Sequence, residues 1–179
     1  AVPIENAKRQ FDVNLFAVDQ ITQLVLPFMR HQGSGRIVNI SSIAGDIYSS
    51  LGGWYHATKA GLNMWSDVLD SEVHRFGIRS VVVQPGLTKS EWSTIALNNA
   101  RKNLLDNSPY SDLVDKLENM FGKINTGATS EELAKVFYQA ATDVRPKRRY
   151  YHSIVDHGMV VIARSMPNTY RAVLNRLMK

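Results

Sequence analysis

The sequence predicts an α/β fold in which a parallel sheet is flanked by helices. Two short apolar runs, RIVNIS at 36–41 and IRSVVVQ at 78–84, have the length and the β-branched content of buried strands. Before and between them lie long segments in which apolar residues recur every three or four positions, as in amphipathic helices. Strands that alternate with helices in this way are typical of parallel sheets.

The first predicted helix runs from Ile4 to Met29, and the two glycines of HQGSG at 31–35 end it. The second runs from about Gly53 to Phe76, and the glycine that follows supplies its stop. The intervening residues, 43–53, are rich in glycine and serine, which predicts a loop after the first strand.

The remainder of the chain is predicted to hold a long polar segment, a strand and two helices. Residues 87–128 are expected to be irregular apart from a helix at 111–121. A capping-box signature at Thr129 starts the next helix, RRYYHSIV at 148–155 is predicted as a third strand, and a last helix spans 167–179. Because connections as long as 87–128 usually serve binding, this segment is expected to be a substrate lid.

Composition favours a single globular domain over the 179 residues, with 44% hydrophobic and 21% charged content. The absence of cysteine excludes disulfides and thiolate metal sites, and it fits a reducing compartment, so a cytoplasmic protein is expected. The histidines lack the spacing of metal ligands, so no metal site is expected. No apolar run approaches the eighteen or so residues of a membrane span.

The net charge of +5 is concentrated at the C-terminal end of the chain. Residues 145–179 hold eight lysines and arginines against one acid, whereas residues 1–144 hold thirteen against fifteen. We interpret the basic C-terminal extension at 156–179 as a solvated or subunit-facing surface rather than a nucleic-acid site, with contact to a membrane surface as the alternative.

A constellation of reactive side chains is predicted at one end of the sheet. Tyr55 and Lys59 stand four residues apart and therefore share one face of the second helix. Ser42 lies thirteen residues earlier, at the carboxyl end of the first strand, and a Pro85-Gly86 turn ends the second strand. Because ligands of open α/β sheets bind outside the carboxyl ends of strands, these residues are expected to converge on one crevice.

The chemistry of this set is proton transfer to or from a carbonyl or alcohol oxygen. A cation about 4 Å from a phenolate interacts with it by about 4 kcal/mol at an effective dielectric of 20. Lys59 is therefore expected to lower the pKa of Tyr55 by up to about three, which brings it towards working pH. Ser42 can hold the substrate oxygen. None of these groups accepts hydride, so a cofactor is required.

Three segments in this order, VNISSIAG at 38–45, YHATK at 55–59 and VQPGLTKS at 83–90, resemble the short-chain dehydrogenase/reductase family. The resemblance covers residues 1 to about 155. It implies a Rossmann-like domain, NADP or NAD as cofactor, a small carbonyl or alcohol substrate and a homodimer or homotetramer. The RRYY run and the apolar tail are similar to relatives that act on lipids, so a lipid-like substrate is an option.

The resemblance also implies roles for individual residues. Tyr55 would give or take the proton, and Lys59 would lower its pKa and bind the nicotinamide ribose. Ser42 would orient the substrate. Asn14, in DVNLFA, would tie the lysine to a water relay.

The turn after the second strand is implied to bind the cofactor through Pro85, Gly86, Thr88 and Ser90. Ser90 stands where the family usually has a threonine near the pyrophosphate, and it keeps the hydroxyl. Thr88 stands where the family commonly has an aliphatic residue whose backbone contacts the nicotinamide amide.

The family's glycine-rich phosphate-binding turn is not found among the 179 residues. The GSG at 33–35 lies between a helix and a strand, which is the wrong order for that fingerprint. The chain is therefore expected to be the C-terminal half of the domain and to bind NAD(P) only weakly alone. Two alternatives remain: a non-catalytic fragment or interaction module, and a sugar-nucleotide epimerase, which would need a larger C-terminal substrate domain.

Several residues near these motifs are predicted to have structural or solvent-exposed roles rather than roles in chemistry. Ser41 is predicted to be a structural hydroxyl, and His56 a solvated helix residue. Trp54 and Tyr48 either wall the substrate pocket or simply pack. Apolar residues outside the narrow stripes of the two long helices are expected to pair subunits; these are Val13, Phe16, Leu24, Phe28, Met64 and Trp65.

Overall fold

A computed structural model describes residues 2–104, 107–123 and 127–177. Three strands and eight α-helices occur in this part of the chain. In chain order they are α1 (Ile4–Phe11), α2 (Ala17–Gln32), β1 (Gly35–Ile40), α3 (Gly53–Val73), β2 (Ile78–Val83), α4 (Trp92–Lys102), α5 (Ser111–Lys123), α6 (Ser130–Thr142), β3 (Arg149–Tyr150), α7 (Ile154–Ser165) and α8 (Pro167–Leu177).

The three strands form one parallel sheet in the order β1-β2-β3, which confirms the predicted fold class. The pairing of β1 with β2 runs from Gly35 opposite Ile78 to Ile40 opposite Val83. All carboxyl ends therefore lie at one edge of the sheet, which we call the carboxyl edge.

Side chains of β2 alternate between two helical layers. Ile78 packs on the α3 side of the sheet, whereas Val81 and Val83 pack on the α6 side. Their buried helical partners are Leu69 and Val73 in α3 and Val136 and Ala140 in α6. A strand that is covered on both faces has to be apolar throughout, as IRSVVV nearly is.

A buried polar trio explains the asparagine and serine inside these strands. The Asn39 side-chain amide in β1 donates to the hydroxyls of Ser66 in α3, at 3.0 Å, and Ser80 in β2, at 3.1 Å. The two hydroxyls are 2.8 Å apart. Because these groups pair with one another, the trio ties two strands to a helix without the cost of leaving a buried polar group unsatisfied.

The predicted ends of the two long helical segments are confirmed. Gly33 follows α2 with φ of 71°, and Gly77 follows the 3₁₀ turn His74–Phe76 with φ of 73°. A Cβ atom at Gly77 would lie 2.2 Å from the Gly33 carbonyl oxygen, so the two turns stack too closely for any side chain there.

The first long helix departs from prediction in one respect. It spans the expected residues, but Asp12–Phe16 form a π-helical turn between α1 and α2. Such a turn is a local widening of the backbone that hydrophobic spacing does not reveal, and it occurs frequently at functional sites.

The prediction for 148–155 was largely wrong. Only Arg149 and Tyr150 pair with β2, and α7 begins at Ile154. The Ser153 hydroxyl accepts a hydrogen bond from the Asp156 amide at 3.0 Å, which caps the new helix. The apolar run that follows Ser153 therefore forms a helix rather than continuing the strand.

Elsewhere, the polar segment was expected to hold one helix and holds two, α4 and α5, in its described part. The capping box before α6 is confirmed: Thr129 and Glu132 exchange hydrogen bonds of 2.8 and 3.2 Å. The last predicted helix, 167–179, is confirmed as α8 over Pro167–Leu177, and residues 178–179 lie outside the described residues. No helix in the described ranges has both the length and the apolar character needed to cross a bilayer.

Candidate active site

Ser42 and Pro85 join the ends of β1 and β2 at the carboxyl edge. The Ser42 hydroxyl donates to the Pro85 carbonyl at 3.3 Å and accepts from the Ala44 amide at 3.1 Å. The Ile43 amide also donates to the Pro85 carbonyl, at 3.0 Å. The predicted convergence of Ser42 with the Pro85-Gly86 turn is therefore present.

Lys59 reaches the same edge from the second turn of α3. Its Nζ donates to the Ile40 carbonyl at 2.9 Å and lies 5.8 Å from the centroid of the Tyr55 ring. One of three ammonium protons is used by that carbonyl, so two remain for a ligand. Ser41 is buried and donates to the Lys59 backbone carbonyl at 3.2 Å, in keeping with its predicted structural role.

The expectation that Lys59 lowers the pKa of Tyr55 is wrong in this structure. Burial raises the pKa of Tyr55 above its ordinary 10.0, and hydrogen bonding with Ser42 only partly opposes this. The ammonium lies over the ring face and is held by a backbone carbonyl. Burial also lowers the pKa of Lys59 below its ordinary 10.5. Both shifts favour the neutral forms, as desolvation requires.

Asn14 lies in the π-helical turn and contacts helix α3. Its side-chain amide donates to the Thr58 hydroxyl at 3.1 Å, and that hydroxyl donates to the Tyr55 carbonyl at 2.9 Å. Thr58, which is fully buried, was missed from the sequence. The role of Asn14 in a lysine relay remains a prediction, because its direct contact is with Thr58.

A buried carboxylate that the sequence did not reveal braces this edge. The Asp46 side chain is 3% exposed. It accepts hydrogen bonds from Gln84 at the end of β2, from Asn63 in α3 at 3.3 Å and from Arg164 Nε in α7 at 2.7 Å. Gln84 also donates to the Ser42 carbonyl at 3.1 Å. Four segments are thus held around the serine, and we call this set the Asp46 network.

Gly86 is required because α7 presses against the turn. A Cβ atom there would lie 2.0 Å from Oδ1 of Asp156, which is buried. The predicted turn therefore has a second function besides any contact with cofactor: it leaves room for the first turn of α7.

Thr88 and Ser90 follow the Pro85-Gly86 turn and could donate hydrogen bonds to a ligand through a backbone amide and two hydroxyls. Thr88 forms an isolated parallel bridge with Ala128, in which the Lys89 amide donates to the Ala128 carbonyl at 2.8 Å. The bridge does not use the Thr88 amide. The hydroxyls of Thr88 and Ser90 are 3.0 Å apart and exposed.

Trp54 and Tyr48 both pack on other rings, which agrees with the second of their two interpretations, and a tryptophan that the sequence did not single out lies against Tyr55. Trp92, in the unpredicted α4, lies with its ring centroid 5.2 Å from that of Tyr55. Trp54 packs on Phe11 at 6.4 Å. Tyr48 packs against the C-terminal helix α8 instead, with its ring 5.1 Å from that of the helix tyrosine.

His56 is not the solvated residue that was predicted. It is half-buried, and both ring nitrogens contact the loop between Ser42 and Tyr55. Its position next to Tyr55 in the sequence does not predict this, because the contacts are made to backbone atoms of Ala44 and Ser49 and to the Ser49 hydroxyl.

Comparison with known proteins assigns the class that the fold and this edge define. The family model described as short chain dehydrogenase matches residues 2–100, which is more than half of the chain. The chain therefore belongs to the short-chain dehydrogenase family.

Two curated relatives illustrate the likeness. "Probable short-chain type dehydrogenase/reductase VdlC" of Helicobacter pylori is 29% identical over 98% of this chain and 64% of its own length. "Uncharacterized oxidoreductase YusZ" of Bacillus subtilis is 33% identical over 84% of this chain and 54% of its own. The chain thus spans roughly half to two thirds of these relatives.

Solved structures share the fold. A short-chain dehydrogenase from Streptomyces avermitilis superposes with a TM-score of 0.72 at 22% identity, over 98% of this chain and 61% of that one. A short chain dehydrogenase from Burkholderia cenocepacia, solved in complex with NADP, gives 0.73 at 16% identity, over 97% and 61%.

Proposed function

We propose that the protein carrying this chain is an NAD(P)-dependent oxidoreductase that interconverts a carbonyl and a secondary alcohol. The observation on which we rely is the placement of Ser42, Tyr55 and Lys59 together beside the Pro85 turn. Family membership supports oxidoreductase chemistry of this kind.

The Tyr55 phenol carries its proton at neutral pH, and burial strengthens this by raising its pKa. A phenol with a pKa above 10.0 stays protonated at neutral pH, so Tyr55 would serve first as an acid towards a carbonyl oxygen. To hold that oxygen next to the phenol, the Ser42 hydroxyl would turn its one hydrogen from the Pro85 carbonyl to the substrate, while the Ala44 amide continues to donate to the serine oxygen. When it is bound, the nicotinamide supplies or accepts the hydride.

The donor groups at the edge fit one end of such a cofactor. Lys59 has ammonium protons to spare for ribose hydroxyls, the Thr88 amide lies outside the backbone bridge, and Ser90 offers a hydroxyl. We propose that these groups hold the nicotinamide side. A glycine-rich phosphate fingerprint after a strand does not occur in the 179 residues, so the preference between NAD and NADP has no determinant here.

Substitution of Tyr55 by phenylalanine tests the proposal. We expect Tyr55→Phe to lower turnover of a ketone and alcohol panel by at least about a hundredfold, because the transferable proton is lost. Tyr138→Phe is the matched control, since Tyr138 is 70% exposed on α6, and it should leave turnover unchanged. Near-normal turnover in Tyr55→Phe would falsify the assignment, and an inactive parent protein would favour a binding module.

We further propose that the protein assembles through the long helices. Val13, Leu24, Phe28 and Met64 are all more than 60% exposed, and Phe28 reaches 77%. Trp65, which was expected on the same face, instead packs against the core beside Ile37. Light scattering at micromolar concentration should give a multiple of the monomer mass, and Phe28→Glu should reduce it; a monomeric parent contradicts this.

A further inference from the structure

The loop that links Ser42 to the catalytic helix is wrapped around one imidazole ring. His56 Nδ1 lies 2.8 Å from the Ala44 carbonyl oxygen. His56 Nε2 lies 3.1 Å from the Ser49 amide nitrogen and 3.1 Å from the Ser49 hydroxyl. One side chain thus holds both ends of the 44–49 backbone.

These partners fix the tautomer of the ring. A carbonyl oxygen can only accept, so Nδ1 must carry the hydrogen that it donates to Ala44. A backbone amide can only donate, so Nε2 must present its lone pair to Ser49. The neutral ring with hydrogen on Nδ1 is the one form that makes both bonds.

The backbone is shaped to receive the ring. A Cβ atom at Gly52 would lie 2.8 Å from His56 Nε2, so the glycine leaves space that the imidazole fills. Leu51 has φ of 66°, a left-handed conformation that costs about 1–2 kcal/mol for a residue other than glycine. The loop would not adopt this course without contacts that compensate for the strain.

The ring is linked to the proposed catalytic serine through one peptide. The Ala44 carbonyl accepts from His56, while the Ala44 amide donates to the Ser42 hydroxyl at 3.1 Å. A shift of that residue would release the serine hydroxyl from the Ala44 amide and leave it held by the Pro85 carbonyl.

We propose that His56 is a positioning residue that holds the 44–52 loop and, through Ala44, sets the orientation of the Ser42 hydroxyl next to Tyr55. The proposal rests on the oxidoreductase function proposed above only in its kinetic consequence. The loop contacts themselves can be tested in the 179-residue chain without activity.

Two isosteric variants separate the two contacts. The amide nitrogen of asparagine can replace Nδ1, and the amide oxygen of glutamine can replace Nε2. We expect His56→Phe to accelerate hydrogen exchange about tenfold at the Ser49 amide, which loses its acceptor, with strand β2 unchanged. The Ala44 amide should also exchange faster, because its residue is no longer held through its carbonyl and its bond to Ser42 opens more often. His56→Asn should restore protection at Ala44 and His56→Gln at Ser49. His31→Phe, at an exposed histidine, is the control and should change neither amide.

Kinetics then test the link to Ser42. In the active protein, His56→Phe should lower kcat by about tenfold while the Kd for the reduced cofactor stays unchanged, and His56→Asn should recover kcat better than His56→Gln.

Unchanged exchange at both amides in His56→Phe would overturn the proposal, as would identical behaviour of the two isosteric variants. If His56→Phe does not fold, His56→Asn and His56→Gln still test the proposal. Nitrogen NMR of His56 in the parent protein shows which ring nitrogen carries the hydrogen. A hydrogen on Nε2 of the neutral ring overturns the assignment. If the parent has no turnover, the exchange data stand and only the oxidoreductase function fails.

Discussion

The carboxyl edge and the 87–128 segment are built in opposite ways. At the edge, Asp46, Gln84 and Ser42 are joined by hydrogen bonds in buried or half-buried surroundings. In the segment, helices α4 and α5 pack against each other, and an exposed Arg101 pairs with Asp115 and Glu118 across them. Its described contacts with the edge include the Trp92 ring on Tyr55, whereas the bridge of Thr88 with Ala128 joins the two ends of the segment to each other.

The difference shows what each region has to do. Proton transfer requires atoms fixed within a fraction of an ångström, and buried, mutually satisfied polar groups provide that rigidity. A cover over a substrate has to open, and a helical pair that is tied down at few points can do so. We therefore propose that 87–128 acts as the lid that the sequence predicts.

The largest expected effect is on stability at the two regions. Asp46→Asn should lower the free energy of unfolding by about 2–3 kcal/mol, because the network loses charged hydrogen bonds in a buried site. Glu118→Gln removes an exposed, solvent-screened ion pair with Arg101 and should cost much less. Urea denaturation of both variants measures the two values. Equal costs would show that the edge is no more firmly built than the segment.

Hydrogen exchange sharpens the comparison without substitution. Amides of α4 and of residues 107–119 should exchange at least about ten times faster than those of strands β1 and β2, because a lid opens without global unfolding. Mass spectrometry of peptides from each region provides the measurement. Equally slow exchange in both regions would exclude a lid that opens locally.

The smallest effect concerns the contact of the Trp92 ring in the segment with the Tyr55 ring at the edge. Trp92→Ala uncovers Tyr55 and so lessens the burial that raises its pKa. Reduction requires the protonated phenol, so the fall of activity at high pH should move to lower pH, by less than about one unit. Trp54→Ala is the control, since that ring packs on Phe11. An unmoved pH profile would mean that Trp92 does not shield the phenol.

Local signals explain which parts could be predicted from sequence. The strand at 78–84, the glycine stops and the Tyr55–Lys59 spacing depend on neighbours within a few residues, and all are present. The Ser153 cap is also local, but the β-rich RRYY run before it favoured a longer strand.

The remaining features depend on distant partners. Asp46 accepts hydrogen bonds from Gln84, which lies 38 residues later, and from Arg164, which lies 118 residues later. No local pattern in the sequence therefore predicts this network. The predicted direction of the Tyr55 pKa shift was wrong for the same reason, namely its dependence on distant residues. Spacing predicted the lysine beside it, whereas the outcome depends on burial by residues such as Trp92.

The bond between Asp46 and Arg164 also imposes an order on biosynthesis. At about 5–20 residues per second, the 118 residues that separate them take about 6–24 s to emerge after Asp46 does. Strand β1 and helix α3 can pair during that time, but Asp46 has no cation until α7 leaves the ribosome. The edge that holds Ser42 is therefore among the last parts of this chain to reach its final form, after the sheet beneath it.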